Sequence, residues 1–135
     1  MKILKERRGE FTVKGAMLFM LVMMLIVLSV SVIGVVNRMA VLHGMSAKLV
    51  RYIEIRGMND SNVDNEIERV LQSSGLDCDV DIDAEFIAGT NKIQFGDPIR
   101  VTVAHTARFG VGGILAVPVS LTSRAEGRSE VYWKS

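Results

Sequence analysis

A row of acidic side chains stands out near the middle of the chain. Between residues 76 and 86, five acidic residues alternate with apolar or small ones: Asp77, Asp79, Asp81, Asp83 and Glu85. This period of two predicts a β-strand with one buried face and one carboxylate face. Carboxylate oxygens are ligands that Ca²⁺ prefers. Side chains on one strand face repeat about every 6.6–7 Å, so neighbouring carboxylates can share an ion but the whole row cannot converge on one.

The acidic row has three interpretations. An EF-hand loop does not fit, because counting from the first acid puts Ile82 at the sixth position and Ala88 at the twelfth, where Gly and Glu are required. The row is either a solvated edge-strand face whose charges discourage aggregation, a weak Ca²⁺ site formed by Asp79, Asp81 and Asp83, or a surface that docks a basic region of another subunit.

No pattern in the sequence predicts catalysis. The nucleophile elbow, the phosphate-binding loop, the His-Glu-x-x-His helix and the Cys-x-x-Cys pair are all absent from the sequence. Spacing alone does not bring His43 and His105 together, and each is predicted to be structural. Cys78 is the only cysteine and is predicted to be a small buried hydrophobe, with an intermolecular disulfide as the alternative. The sequence therefore predicts no enzyme, no cofactor and no small-molecule substrate.

The charge is divided unevenly along the chain. Residues 1–56 carry nine Lys and Arg against three acids, and residues 57–135 carry seven against twelve. The acidic second part argues against nucleic-acid binding, which requires clustered basic and aromatic residues.

An uncharged apolar segment occupies residues 15–36. At about 1.5 Å per residue, a helix of this length spans roughly 33 Å, close to the hydrocarbon thickness of a bilayer. It is too long for a secretory signal peptide, and no Ala-x-Ala-like cleavage site follows it. Lys2, Lys5, Arg7, Arg8 and Lys14 precede it, so the positive-inside rule predicts a cytoplasmic leader over residues 1–14 and an extracytoplasmic C-terminal part.

The helix is predicted to continue beyond the membrane. Residues 37–57 are predicted to form an amphipathic stalk. Its apolar stripe starts just before it at Val35 and continues through Met39, Leu42, Leu49 and Ile53, so that one helix is expected from near Glu10 to Arg56. Gly57 suits the position after a helix C-terminus.

Residues 58–135 are predicted to form a small extracytoplasmic domain. Ser61 and Asp64 approximate a capping box at the start of a short helix that ends at Ser73-Ser74-Gly75. Three or four antiparallel strands follow, over residues 76–86, 93–95, 99–104 and from Val117 toward Trp133, with an apolar, glycine-rich loop at residues 109–116. The fold class is thus α+β. A domain this small is marginal alone, so the stalk or a neighbouring subunit is expected to complete its core.

Two stretches together resemble a known family. Arg7-Arg8-Gly9-Glu10-Phe11-Thr12-Val13-Lys14-Gly15-Ala16, followed by the long apolar run, resembles the start of type IV pilin-like proteins, specifically the TadE-like minor pilins (pseudopilins) of tight-adherence pilus systems. The segment from Pro118 to Tyr132 resembles the closing segment of bacterial TadE-related proteins of unassigned function.

The resemblance implies processing and assembly. In that family a prepilin peptidase on the cytoplasmic side cuts after a glycine, which corresponds to a cut between Gly9 and Glu10, and the apolar helix then packs into a filament. Type IV pilins typically have Glu at the fifth position after the cut, where it pairs with a neighbour's new N-terminal amine. This chain has Lys14 there. Two facing cations in lipid would be costly, whereas Glu10 can pair with Lys14 within one helix.

These observations predict a non-enzymatic, single-span, TadE-like structural or accessory subunit of a pilus or secretion-type assembly. Its predicted partners are the membrane, other pilin-like subunits and a prepilin peptidase. The alternative is a plain single-span membrane protein with an extracytoplasmic binding domain, using Asp79, Asp81 and Asp83 for weak Ca²⁺ binding.

Overall fold

The computed structural model describes residues 2–110 and 116–134, with side chains from residue 9 onward. The fold is α+β, as the sequence predicts. Its elements in chain order are helix α1 (Lys2–Arg56), helix α2 (Ser61–Ser74) and strands β1 (Asp79–Ala84), β2 (Pro98–Phe109) and β3 (Val117–Arg128).

Helix α1 is unbroken over 55 residues. It begins at Lys2, earlier than the predicted start near Glu10, so the basic leader is helical as well. It ends at Arg56 as predicted, because Gly57 takes a left-handed conformation with φ of 63° that residues with a Cβ rarely adopt. The amide of Gly57 still bonds the carbonyl of Ile53 at 2.7 Å, which closes the last turn.

Helix α2 confirms the predicted helix but not its cap. Asp60, one residue before Ser61, is the N-cap, and its Oδ1 accepts the backbone N–H groups of Asn62 and Val63, both at 3.1 Å. Both Asp60 and Ser61 are good N-cap residues, and the helix starts where the buried Val63 faces the core. Gly75 ends the helix with φ of 64°, as expected.

The three strands form one antiparallel sheet in the order β1-β2-β3. Strand β1 is shorter than the predicted strand over residues 76–86. At its start, the Nδ1 atom of His105 lies 2.6 Å from the carbonyl oxygen of Asp77. This carbonyl therefore bonds a side chain instead of a backbone N–H of the neighbouring strand. At its end, Ala84 pairs with Ile99, and the residue after Ala84 would have to pair with Pro98, which has no N–H to donate.

Two predicted strand segments do not form. Residues 93–95 contribute only the isolated bridge Phe86–Ile93, next to the bridge Met58–Lys92. Strand β3 ends at Arg128 instead of continuing toward Trp133. In both segments the hydrogen bonds go to side chains and to the end of α1. Of the predicted loop at residues 109–116, residues 111–115 lie outside the described residues.

The core lies between the second half of α1 and one face of the sheet, with α2 closing one side. The buried apolar side chains are Leu42, Met45, Leu49, Val50, Ile53, Val63, Val70, Ile93, Ile99, Val101, Val103, Ala107 and Leu121. The stalk thus completes the core, one of the two predicted ways. Met39, predicted to be on the buried stripe, is 40 % exposed, since the helix turns it away from the sheet.

Candidate functional site

The first half of α1 presents apolar side chains in every direction. From Met17 to Val27 the large side chains are 39–76 % exposed, which is unfavourable in water and favourable in lipid. The hydroxyls of Ser29 and Ser31 donate to the carbonyls of Leu25 and Val27 at 2.8 and 3.1 Å, so neither needs water. Among the described residues, this is the one helix long and apolar enough to cross a membrane, consistent with single-pass anchoring.

The predicted processing site lies at the start of this helix. Gly9 is exposed, and a Cβ built on it meets no atom within 4 Å. The Nζ of Lys14 lies 2.8 Å from Oε1 of Glu10, which confirms the expected pairing within one helix. Both side chains are mostly solvent-exposed, so this ion pair contributes little to stability.

The predicted Ca²⁺ ligands share one exposed edge of the sheet. Asp79, Asp81 and Asp83 alternate with half-buried apolar residues, as predicted. Asp83 lies in a cross-strand row with Arg100, whose Nη1 is 3.5 Å from Oδ2 of Asp83 and whose Nε is 2.8 Å from Oε1 of Glu126. In the described part of the chain, no three His, Cys, Asp or Glu residues are grouped so that they could hold a metal ion.

Cys78 is half-buried at the margin of the core. Burial, and to a smaller extent the neighbouring carboxylate of Asp77, raise the pKa of the Cys78 thiol. A raised pKa leaves less thiolate at neutral pH, which lowers the reactivity of the thiol.

A polar contact between helix and sheet was not anticipated from the sequence. The Oγ atoms of Ser46 and Ser123 lie 3.1 Å apart, and Ser123 Oγ is 3.5 Å from Nδ1 of His43. A Ser–His pair suggests nucleophilic catalysis, but Ser123 is 4 % exposed and Ser46 is 0 % exposed, which leaves no room for a substrate. The contact therefore fixes the position of α1 on β3.

The end of α1 is enclosed by the C-terminal segment. The carbonyl of Gly57 accepts the N–H of Ile93 at 2.7 Å and the indole Nε1–H of Trp133 at 3.0 Å. The Gln94 side-chain amide bonds both backbone groups of Trp133, at 2.9 and 3.1 Å. The Nζ of Lys92 lies 4.4 Å above the Trp133 ring, a cation–π distance. This junction, formed by Gly57, Lys92, Gln94 and Trp133, holds the domain against the end of the stalk.

The sequence contained only weak indications of this junction. Trp133 is the only tryptophan, and the sequence predicts that Gly57 ends the helix but gives no sign of its close packing. A Cβ on Gly57 would lie 2.5 Å from Cβ of Val131, so the C-terminal segment approaches the helix end as closely as a glycine allows.

Comparison with known protein families gives a match. No curated protein and no solved structure matches the chain significantly. Residues 19–134 match the family described as domain of unknown function (DUF4320). Since this match covers most of the apolar segment and residues 58–134 of the domain, the chain belongs to that family.

Proposed function

We propose that this protein is a non-enzymatic, single-span, TadE-like structural or accessory subunit of a pilus or secretion-type assembly. The observation that carries the proposal is the continuity of α1, whose exposed apolar half passes without a break into the half that forms the core of a small α+β domain. A subunit of this shape transmits the position of its membrane helix directly to its domain.

The proposal includes an orientation. Five basic residues precede the apolar segment within the first 14 positions. The positive-inside rule then puts the N-terminus in the cytoplasm and the domain outside it. In that orientation the Gly9–Glu10 bond faces a prepilin peptidase on the cytoplasmic side.

The pairing of Glu10 with Lys14 favours an accessory role over a filament-forming one. Lys14 occupies the position at which pilins typically have Glu, and its charge is balanced inside its own helix. A neighbouring subunit's N-terminal amine would find no free carboxylate at this point. The other pilin-like subunits of the assembly are therefore proposed to contact the helix through its apolar surface.

Mass spectrometry of the N-terminus tests the proposal. With a co-expressed prepilin peptidase, the native chain is expected to begin at Glu10, and Gly9→Val is expected to stay intact. Gly15→Val is the matched control, because a Cβ at either glycine meets no atom within 4 Å. It is expected to be cut like the native chain. An intact N-terminus in the native chain would contradict the processing step and favour a plain single-span membrane protein.

A further inference from the structure

We propose that the paired ends of strands β2 and β3, at Phe109 and Val117, lie in the lipid headgroup region beside the N-terminal half of α1. The contact surface consists of Arg108, Phe109, Val117 and Pro118. The domain would then touch the bilayer at a second point besides its anchor. This inference requires the apolar half of α1 to lie in the membrane, and it does not depend on pilin-type processing.

The register between β3 and α1 sets the depth of these strand ends. The N–H of Arg128 donates to Oε1 of Glu54 at 3.0 Å, and Ser123 contacts Ser46 at 3.1 Å. Five steps along the strand, about 16 Å, thus match eight steps along the helix, about 12 Å. Strand β3 therefore runs in the same direction as α1 and crosses it at an angle of about 40°.

Extending this register places the strand ends at the membrane segment. From Ser123 back to Val117 the strand covers six more residues, about 20 Å, which corresponds to about ten to thirteen residues of helix. Val117 then lies level with residues 33–36, the last turn of the uncharged apolar segment. Val119 and Val35 both pack on the margin of the core, as expected if strand and helix stay side by side to this depth.

The burial pattern of α1 agrees with this depth. Val35 is half-buried, packs against the core, and continues at a seven-residue step the face that carries Leu42 and Leu49. On the other side of the helix, Ile33 is 66 % exposed. The sheet-facing side of α1 is thus covered in the last turn of the apolar segment, while the opposite side is open.

The chemistry of the strand ends suits the headgroup region. Val117 is 58 % exposed, and residues 98–125 contain no Asp or Glu. Arg108 is exposed and lies opposite Pro118 in the ladder. An apolar side chain next to an arginine matches an interface where acyl chains meet phosphates.

The acidic row lies toward the opposite end of the sheet. Asp79 is level with Ala104 and Thr122, and Asp83 is level with Arg100 and Glu126. Asp77, beside Thr106 and Ser120, is therefore the member of the row nearest the bilayer, about three strand residues or about 10 Å beyond Val117. Asp79 lies about five strand residues, or about 16 Å, beyond Val117. The sheet thus separates a lipid-compatible end from an anionic one.

Depth-dependent fluorescence quenching tests the inference in the full chain. Val117→Cys, in a Cys78→Ser background, is labelled with nitrobenzoxadiazole and reconstituted in vesicles of phosphatidylcholine with one quarter phosphatidylglycerol. Nitroxide lipids labelled near the headgroup are expected to quench this probe several-fold more than a probe at the matched control Thr122→Cys, which is exposed on the same strand farther from the membrane. Equal quenching at both positions would overturn the inference.

Two further measurements keep the test decisive. Native Trp133 emission confirms that each variant is folded. If Cys78→Ser does not fold, Val117→Cys is labelled at neutral pH with Cys78 retained, because the half-buried Cys78 thiol reacts slowly. Pyrene at position 117 reports on a second copy of the chain. Excimer emission without lipid quenching would mean that another subunit covers the strand ends, and would also overturn the inference.

Discussion

Residues 15–36 and residues 42–53 belong to one unbroken helix and are both rich in apolar side chains, yet their environments are opposite. In the first region the large side chains from Met17 to Val27 are 39–76 % exposed, whereas Leu42, Leu49 and Ile53 in the second are at most 1 % exposed. The second region also carries Lys48 and Arg51 on its outer side, and the first carries no charge at all.

This difference shows that the distribution of apolar residues, more than their number, decides what a helix packs against. A stripe of apolar residues matches one face of a sheet, and the charged remainder faces water. A helix that is apolar all round has no side for water and requires lipid or other helices. The change from one pattern to the other falls at Asn37 and Arg38, the first polar residues after the apolar segment.

The largest expected effect comes from shortening one apolar side chain in each half of α1. Ile53→Ala, at a position that is 0 % exposed, is expected to lower the free energy of unfolding of the domain by about 2–5 kcal/mol. Ile26→Ala, in the exposed apolar half, should leave it unchanged. Urea unfolding of the full chain in detergent, followed by Trp133 fluorescence, measures both. A similar decrease in the free energy of unfolding for both variants would contradict the claim that only the second half of α1 packs in the domain core.

A second substitution tests the junction at the end of the stalk. Gly57→Ala combines a left-handed φ with a Cβ that would lie 2.5 Å from Cβ of Val131, and is expected to cost about 2–4 kcal/mol. Gly75→Ala is the matched control, with φ of 64° and no atom within 4 Å, and is expected to cost about 1–2 kcal/mol. The same unfolding assay applies. Equal losses would show that the C-terminal segment does not press on the helix end.

Two serines, one in each half of α1, extend the comparison between the buried and the exposed half. Ser46→Ala removes the buried contact with Ser123 and should lower the free energy of unfolding by about 1–2 kcal/mol. Ser29→Ala removes only a hydroxyl that bonds its own helix at the Leu25 carbonyl, so the domain should keep its native stability. If Ser46→Ala is as stable as the native chain, the contact does not fix the helix on the sheet.

The smallest expected effect concerns pH and the turn that follows the stalk. The Asn62 side-chain hydrogen bond, helped by the Val63 amide and by Arg56, lowers the pKa of Asp60 despite partial desolvation. A lowered pKa in the folded state means that this stabilisation is present at neutral pH and is lost as the pH falls through that lowered value. The native urea midpoint should therefore fall in acid slightly more than that of Asp60→Asn, whose cap has no charge to lose. Identical acid dependence in both would contradict the assignment.

Features governed by local physics could be predicted from the sequence. The uncharged stretch before Asn37, the glycine at position 57, the alternation from Asp79 to Ala84 and the apolar face that begins at Val63 each specify their element through neighbouring residues. Helix α1, helix α2, strand β1 and the α+β class followed from them. The pairing of Glu10 with Lys14 is also local, since the two lie four residues apart.

Features that depend on distant residues could not be predicted. His43 and Ser123 are 80 residues apart, and Gln94 and Trp133 are 39 apart, so only the packing of α1 on the sheet brings them together. Strand β1 begins at Asp79 and not at residue 76 as predicted, because the side chain of the distant His105 contacts the carbonyl of Asp77. Processing at Gly9 and the occupant of the acidic row remain predictions, because they depend on other molecules.

Spin-label accessibility in bilayers tests the central claim, that the two halves of α1 lie in different environments. Val22→Cys and Lys48→Cys, each in the Cys78→Ser background with a nitroxide attached, are exposed to oxygen and to a water-soluble nickel chelate. Position 22 is expected to be accessible to oxygen and protected from nickel, and position 48 is expected to be open to nickel. Equal access of nickel to both positions would contradict the account.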